Sequence, residues 1–259
     1  MDIRFFDTLE STNAYCKLLD PKSLEEFTVV WAGNQTAGIG QKGNVWCSEP
    51  YKNLTFSIIL KPSFLKASDQ WLLSMTLALA ITDSLIGAGR GLLNTCDERQ
   101  TEDNAPCRNK VSVKWPNDIY IGDRKVCGIL ITNQLTSTSI SQSICGIGLN
   151  VNQTTFPDWI PNPTSISIET GKHYDLKNAL DNVLGKIESR YSQLKSHPSS
   201  IKPDYMSRLY RLNKPSPFLY DERRITATII DVDSLGHLHL TTEDDQEIVC
   251  DLKEIKFVI

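Results

Sequence analysis

One short segment of the chain combines residue types that could do chemistry. In Lys114-Trp115-Pro116-Asn117-Asp118, a lysine at the end of a strand-like run is followed after one residue by a proline. Proline has no backbone N–H to continue a ladder, so regular pairing should end there and leave the lysine ammonium group at the lip of a sheet. A cation in that position could offset negative charge that develops when two anionic groups react.

A second segment, AGIGQKGNVW at residues 37–46, has the spacing G-x-G-x-x-G. A dinucleotide-binding loop with this spacing opens a helix, but Pro50 and the lack of helical periodicity argue against a helix here. A phosphate-binding loop of the Walker type needs a lysine where this chain has Ile39. The glycines instead predict a mobile lid, in which the backbone N–H groups of Ile39, Gly40 and Gln41 can bind an anion.

Composition excludes several classes of protein. Lys and Arg number 27 and Asp and Glu number 31, a formal net charge of -4, whereas nucleic-acid-binding domains present a basic face. The first residues lack the basic and apolar regions of a secretory signal, and no apolar run reaches the ~20 residues of a membrane span. We therefore expect a cytoplasmic protein without DNA or membrane partners. Seven scattered cysteines, including Cys47, Cys127, Cys145 and Cys250, favour reduced, mostly buried thiols.

Hydrophobic patterning predicts a mixture of strands and helices. The predicted strands are 28–35, 54–60, 111–114, 125–132 and 139–150, with a hairpin through 121–123 joining the third and fourth. The predicted helices are 11–19, 68–86 and 176–194, and the capping-box spacing at 23–26 is typical of a further short helical turn. Residues 89–109 are polar and are expected to form an exposed loop. Short runs at 225–232, 237–240, 247–250 and 255–259 indicate a small β-barrel.

Five motifs stand in a characteristic order along the chain. They are Glu10-Ser11-Thr12-Asn13, the Gln35-Thr36-Ala37-Gly38 lead-in to the glycine loop ending at Trp46, the segment from Lys114 to Asp118, Arg124 to Leu130, and Gly146 to Asn152. In this ordered set, which covers nearly the whole chain, the sequence resembles a biotin protein ligase of the short type, without a DNA-binding domain. The resemblance implies an α+β fold. A mixed sheet with flanking helices, similar to class II synthetases, would occupy residues 1–212, and an SH3-like β-barrel residues 213–259.

The resemblance also implies a reaction. Members of this family join the carboxylate of biotin to the α-phosphate of ATP, giving biotinyl-5′-AMP, and then pass biotin to a lysine of a biotin carboxyl carrier domain. Lys114 would be the catalytic cation, and Mg²⁺ is expected beside the phosphates, with its ligands unknown.

The resemblance further assigns binding residues. Biotin-binding positions would be Ser11, Thr12, Asn13, Gln35, Ile39, Gly40, Gln41, Gly128, Gly146 and Gly148, and ATP-binding positions Lys42, Trp46, Asn117 and Asn150. The ureido ring of biotin has one acceptor and two donors, which a buried pocket must match with fixed polar groups. Ser11 and Thr12 are also typical of a helix cap. Gly146 and Gly148 alternate along a strand and leave a face on which a flat ring could lie, although a bulge or tight packing is the alternative.

The glycine loop departs from the family pattern. Relatives carry arginine at the position of Ile39 and often at those of Gln41, Lys42 and Asn44, and here only Lys42 keeps a positive charge. An apolar side chain cannot pair with a carboxylate or a phosphate. We therefore expect the loop to close but to hold the adenylate less firmly. Two alternatives remain open: a ligase for lipoate or octanoate on the related fold, and a non-catalytic relative that only binds biotin.

Overall fold

The structure is a computed structural model that describes residues 1–86, 91–93 and 111–259. Its larger sheet has seven strands in the order β1-β2-β3-β7-β6-β5-β4. Strand β1 runs parallel to β2, and every other neighbouring pair is antiparallel. The strands are β1 Asp2–Leu9, β2 Thr28–Gln35, β3 Leu54–Leu60, β4 Val111–Lys114, β5 Asp118–Ile121, β6 Arg124–Leu135 and β7 Ile140–Leu149.

Five α-helices accompany this sheet in the described residues, and two of them form most of the helical core. All seven residues of β3 are buried, and helix α2 buries residues on most of its faces, so strand and helix share one core. Helix α4 has a narrower apolar stripe that includes Leu180, Val183 and Ile187. The helices are α1 Thr12–Leu18, α2 Gln70–Ile86, α3 Ile166–Thr170, α4 Leu176–Ser196 and α5 Ile201–Ser207. No helix among the described residues is long and apolar enough to cross a membrane.

A second sheet follows, with five antiparallel strands in the order β11-β10-β9-β8-β12. We call it the C-terminal sheet. Its strands are β8 Ser216–Tyr220, β9 Arg223–Val232, β10 Leu238–Thr242, β11 Glu247–Cys250 and β12 Ile255–Phe257. The α+β fold is confirmed, while closure of this sheet into an SH3-like barrel and the domain boundary at 212/213 stay predictions.

The structure corrects the sequence-based boundaries in several places. Residues 118–121 form β5, so the hairpin at 121–123 joins β5 to β6 rather than β4 to β6. The short helical turn lies at Pro21–Ser23 and not at 23–26, because the Asp20 side chain accepts a hydrogen bond from the Lys22 backbone N–H at 3.0 Å. Strands β1 and β8 and helices α3 and α5 were not predicted. The loop predicted at 89–109 lies largely outside the described residues.

The segment after β4 ties the two sheets together. The Trp115 indole N–H donates to the backbone carbonyl of Gly236 at 2.9 Å, in the turn between β9 and β10. The Tyr205 hydroxyl donates to the Pro116 carbonyl at 3.1 Å. Trp115 is buried, so its indole N–H is shielded from water and the Gly236 carbonyl satisfies it instead. The C-terminal sheet is therefore anchored on the same short segment that carries Lys114.

We predict that Gly236→Ala destabilises the protein more than Gly122→Ala. Both glycines have a positive φ, 91° and 59°, at which a Cβ costs about 1–2 kcal/mol. At Gly236 a Cβ would also lie 2.4 Å from the Trp71 ring, whereas at Gly122 it meets nothing within 4 Å. Overpacking adds about 1–3 kcal/mol. Urea denaturation of both variants measures the difference, and equal losses of unfolding free energy would contradict this packing.

Candidate functional site

A cavity opens over the middle of the seven-stranded sheet, above β6 and β7. The start of helix α1 and the glycine loop between β2 and β3 both contribute lining residues. Of the residues predicted to bind ligands, the cavity is lined by Ser11, Thr12, Asn13, Gln35, Ile39, Gly40, Gln41, Trp46, Gly128, Gly146 and Gly148. Residues from four separate parts of the sequence are thus brought into one chamber.

The start of helix α1 supplies the polar end of this cavity. Ser11 caps the helix, and its hydroxyl accepts from the Ala14 N–H at 3.3 Å. The Thr12 backbone N–H donates to the Gln35 side-chain oxygen at 2.7 Å, so the end of β2 is joined to the start of the helix. Ser11 and Thr12 are buried. The two readings of these residues are therefore compatible, since a capped helix start also faces the cavity.

Asn13 lies over Gly146 on the cavity floor. Its amide nitrogen donates to the Leu130 carbonyl at 3.3 Å, and a Cβ on Gly146 would come within 2.4 Å of that nitrogen. The amide oxygen of Asn13 is buried and accepts no hydrogen bond from the described residues. An unsatisfied buried acceptor is costly, so this oxygen is suited to receive an N–H from a bound molecule.

The glycine loop is folded back on itself as a small hairpin. Ile39 pairs with Val45 in an isolated bridge, and the Gly40 N–H donates to the Asn44 carbonyl at 2.7 Å. Gly38 must lack a side chain, because a Cβ would lie 2.3 Å from the Trp46 carbonyl oxygen. Gly43 takes a φ of 86° at the tip, which favours glycine. The glycines of the loop are therefore needed for the close approach of Gly38 to the Trp46 backbone and for the turn at Gly43.

The face opened by the floor glycines is covered by the Trp46 indole. A Cβ on Gly148 would lie 2.2 Å from this ring, and one on Gly128 would lie 3.1 Å from it. Gly128 and Gly148 are paired across β6 and β7, so the indole rests on two adjacent positions without side chains. The sequence predicted that a flat ring could lie on this face, and in this structure the Trp46 indole lies there. Tight packing, the alternative reading of these glycines, holds at Gly148.

One cation and one carboxylate line the described part of the cavity, and neither was predicted as a site residue. Lys125 Nζ lies 2.7 Å from Asp118 Oδ1 and 5.8 Å from the centroid of the Trp46 ring. Lys125 is 30% exposed and Asp118 24%, so solvent screens the pair. The signal was present in the sequence, because both residues belong to the recognised motifs. The strand alternation of β5 and β6 that turns them inward was not predicted.

Lys114 lies outside the cavity lining. Its ammonium nitrogen is 4.5 Å from the centre of the Phe257 ring and 5.5 Å from that of Tyr120. Burial lowers the pKa of Lys114 from its ordinary value, with Lys125 and Arg211 acting in the same direction and Asp118 opposing them. Lys114 is also paired with Asp118 across β4 and β5.

Of the remaining predicted ATP-binding residues, Asn117 and Asn150 donate hydrogen bonds from their side-chain amides to backbone carbonyls. The Asn117 amide donates to the Ile129 carbonyl, and the Asn150 amide donates to the Thr164 carbonyl at 2.9 Å. The side-chain oxygen of Asn150 is buried and has no partner among the described residues. Lys42 belongs to the turn at Gln41–Gly43, and its side chain lies outside the described residues.

None of the described cysteines lines the cavity. Cys127 is one residue from Gly128, but it is buried, and burial raises the pKa of its thiol. A thiol in that state is a poor nucleophile. The described cysteines, namely Cys16, Cys47, Cys127, Cys145 and Cys250, are all free.

Comparison with known proteins gives a consistent result. Residues 5–150 match the model of the biotin/lipoate A/B protein ligase family. The chain is 32% identical over 197 residues to the bifunctional ligase/repressor BirA of Bacillus subtilis, covering 74% of this chain and 54% of that protein. It is 29% identical over 214 residues to a biotin–[acetyl-CoA-carboxylase] ligase of Paracoccus denitrificans, covering 80% of each. The chain thus spans about half the length of the first of these relatives.

Solved structures show the same fold. The biotin protein ligase of Aquifex aeolicus in complex with biotin and ATP superposes with a TM-score of 0.76 at 25% identity, covering 99% of both chains. The biotin protein ligase of Leishmania major in complex with biotinyl-5-AMP superposes with a TM-score of 0.64 at 20% identity, over 96% of this chain and 98% of that one.

We predict that Gly148→Ala expels the Trp46 indole from the floor of the cavity. The added methyl group should cost about 1–3 kcal/mol of unfolding free energy as overpacking. In a Trp46→Ala background the clash is absent, so the same substitution should cost far less. Residues in direct contact typically couple by about 0.5–3 kcal/mol. Urea denaturation of the two single variants and the double variant measures this coupling, and additive losses would contradict the seating of Trp46 on Gly148.

Proposed function

The chain belongs to the biotin/lipoate A/B protein ligase family, and from this premise we propose that it is an ATP-dependent biotin protein ligase. In the first reaction, a carboxylate oxygen of biotin attacks the α-phosphorus of ATP, and the bond to the departing pyrophosphate breaks. The product is biotinyl-5′-AMP. In the second, the amine of a lysine in a biotin carboxyl carrier domain attacks the acyl carbon, AMP departs, and the amine loses a proton.

The observation that carries this proposal is the set of polar groups that line the cavity. Around Asn13 and Gln35 the lining is neutral and rich in hydrogen-bonding groups, as a ureido ring requires. The cavity also holds the Lys125 cation, 5.8 Å from the centroid of the Trp46 ring. A molecule with a cyclic urea at one end and a carboxylate at the other can meet both kinds of group.

In this proposal, two lysines offset the negative charges of the carboxylate and of the phosphates. Lys125 is the cation of the lining and would meet the carboxylate of the acid. Lys114 lies opposite Asp118 across β4 and β5, in contact with Phe257 of the C-terminal sheet, and would serve the phosphates. Bringing a carboxylate against a phosphate requires fixed cations, because water is excluded from the reacting atoms.

Mg²⁺ fits this site as a companion of ATP rather than as a resident ion. In the described part of the chain, no group of three or more His, Cys, Asp or Glu side chains could hold a metal. Mg²⁺ typically takes one or two carboxylates together with substrate phosphates and several waters. Asp118 is the carboxylate that would hold it, and the ion would neutralise phosphate charge.

Two assays, pyrophosphate exchange and calorimetry, separate the other acids and the non-catalytic role. We expect exchange of labelled pyrophosphate into ATP when biotin is present and none with lipoate or octanoate. Exchange with lipoate but not biotin would favour a lipoate ligase. Binding of biotin by calorimetry without any exchange would favour a non-catalytic relative. The carrier domain, the cytoplasmic location and the absence of DNA and membrane partners stay predictions.

We predict that Lys114→Ala loses adenylate formation and keeps the fold. Removing a group aimed at developing charge typically costs about 10²–10³ in rate. Biotin-dependent pyrophosphate exchange measures the rate, and thermal unfolding measures the fold. Lys125→Met is the matched comparison, since it should weaken biotin binding as well as slow the reaction. A Lys114→Ala rate near that of the unchanged protein would remove this lysine from the mechanism.

We predict that Ile39→Arg slows the release of biotinyl-5′-AMP. Ile39 lines the cavity, is 47% exposed and offers no charge to a phosphate, whereas a guanidinium there could pair with one. Ile39→Met adds length without charge and serves as the control. Release is followed by rapid filtration of labelled adenylate after dilution. Equal release from the Arg variant and the unchanged protein would contradict the idea that the loop holds the adenylate weakly because it lacks this charge.

A further inference from the structure

The ammonium group of Lys114 rests on aromatic rings from both sheets. Phe257 of β12 is the nearer ring, with its centroid 4.5 Å from Nζ, and Tyr120 of β5 is at 5.5 Å. Both distances lie within the range of about 6 Å in which a ring face attracts a cation. The nearer contact therefore comes from the C-terminal sheet, at the third residue from the end of the described chain.

Phe257 is held in place by its own surroundings. Its ring meets that of Phe218 edge to face at 5.0 Å and lies 6.1 Å from that of Tyr210. Next to it, the Val258 N–H donates to the Pro217 carbonyl at 3.2 Å, and the Val258 carbonyl accepts from Arg211 at 3.0 Å. A ring fixed on two sides and along its backbone can fix a cation that rests on it.

The charge on Lys114 is otherwise only partly balanced. Asp118 lies opposite Lys114 on β5, but its carboxylate is already bound to Lys125 at 2.7 Å. Arg211 adds a further positive charge nearby. A carboxylate partner would have to be given up before Lys114 could meet a phosphate, whereas an aromatic face attracts the cation without accepting its proton. An ammonium group on a ring is therefore held in position and remains available to an anion.

We propose that Phe257 is a positioning residue for Lys114, so that the C-terminal sheet takes part in the activation of the acid. This inference rests on the proposed ligase function and extends it to a strand that does not line the cavity. Phe257 acts through Lys114 and touches no substrate in this account. Its loss should therefore lower the turnover of adenylate formation and leave the KM for biotin unchanged, since the acid binds at the other end of the site.

Fluorinated phenylalanines at position 257 give the sharpest test. Each added fluorine weakens the attraction of the ring for a cation while changing its size little. In the full-length chain, we expect the turnover of biotin-dependent pyrophosphate exchange to fall stepwise from mono- to di- to trifluorophenylalanine, by roughly 3- to 30-fold in all. The melting temperature and the KM for biotin should stay constant across the series.

Natural substitutions supply the controls. Phe257→Trp keeps a ring face and should retain most of the turnover, whereas Phe257→Leu should lose as much as the trifluoro variant. Leu240→Ala removes a buried side chain from β10, three strands away from β12 in the C-terminal sheet, so its turnover should be unchanged at a temperature where it is folded.

Two results would overturn the proposal. One is a turnover that does not change across the fluorinated series. The other is an equal loss in Leu240→Ala and Phe257→Leu, which would point to general damage of the C-terminal sheet. Failure of the ligase function itself is distinguishable, because the unchanged protein would then show no biotin-dependent exchange.

Discussion

The candidate site depends on three glycines in the middle of the sheet. Gly146 and Gly148 of β7, and Gly128 opposite Gly148 on β6, leave a floor on which other groups can lie directly on the backbone. Any Cβ at Gly146 or Gly148 would run into the Asn13 amide or the Trp46 indole at distances that atoms do not tolerate. The helix start, the glycine loop and the cavity between them are therefore all built against this floor.

Close backbone approach, which only glycine allows, also explains the shape of the glycine loop. Its glycines permit a hairpin that brings Trp46 back over the sheet, with the Trp46 backbone N–H donating to the Gly38 carbonyl at 3.0 Å. The hairpin is closed by backbone hydrogen bonds and by the bridge between Ile39 and Val45, without a charged side chain at position 39. These backbone hydrogen bonds seat Trp46 over the sheet. They also occupy the Gly40 N–H, which donates to the Asn44 carbonyl at 2.7 Å.

Much of the site could be predicted from the sequence because motifs are local. The glycine spacing, the Ser11 cap and the lysines lie in short segments whose residue types limit what they can do. The contact between Lys114 and Phe257 could not be predicted, since 143 positions separate them and only the packing of two sheets brings them together. Strand β5 was missed because Asp118–Ile121 is only four residues long and follows a proline. That omission concealed the pairing of Asp118 with Lys114 and its ion pair with Lys125.

In the proposed function, this cavity activates biotin for transfer to a protein. The most direct measurement is incubation of the protein with labelled biotin, ATP and a biotin carboxyl carrier domain, followed by counting of label on the carrier. We predict stable label that requires ATP and disappears when the acceptor lysine of the carrier is replaced. A carrier that stays unlabelled while the protein forms and releases biotinyl-5′-AMP, or a carrier that is labelled without ATP, would contradict it.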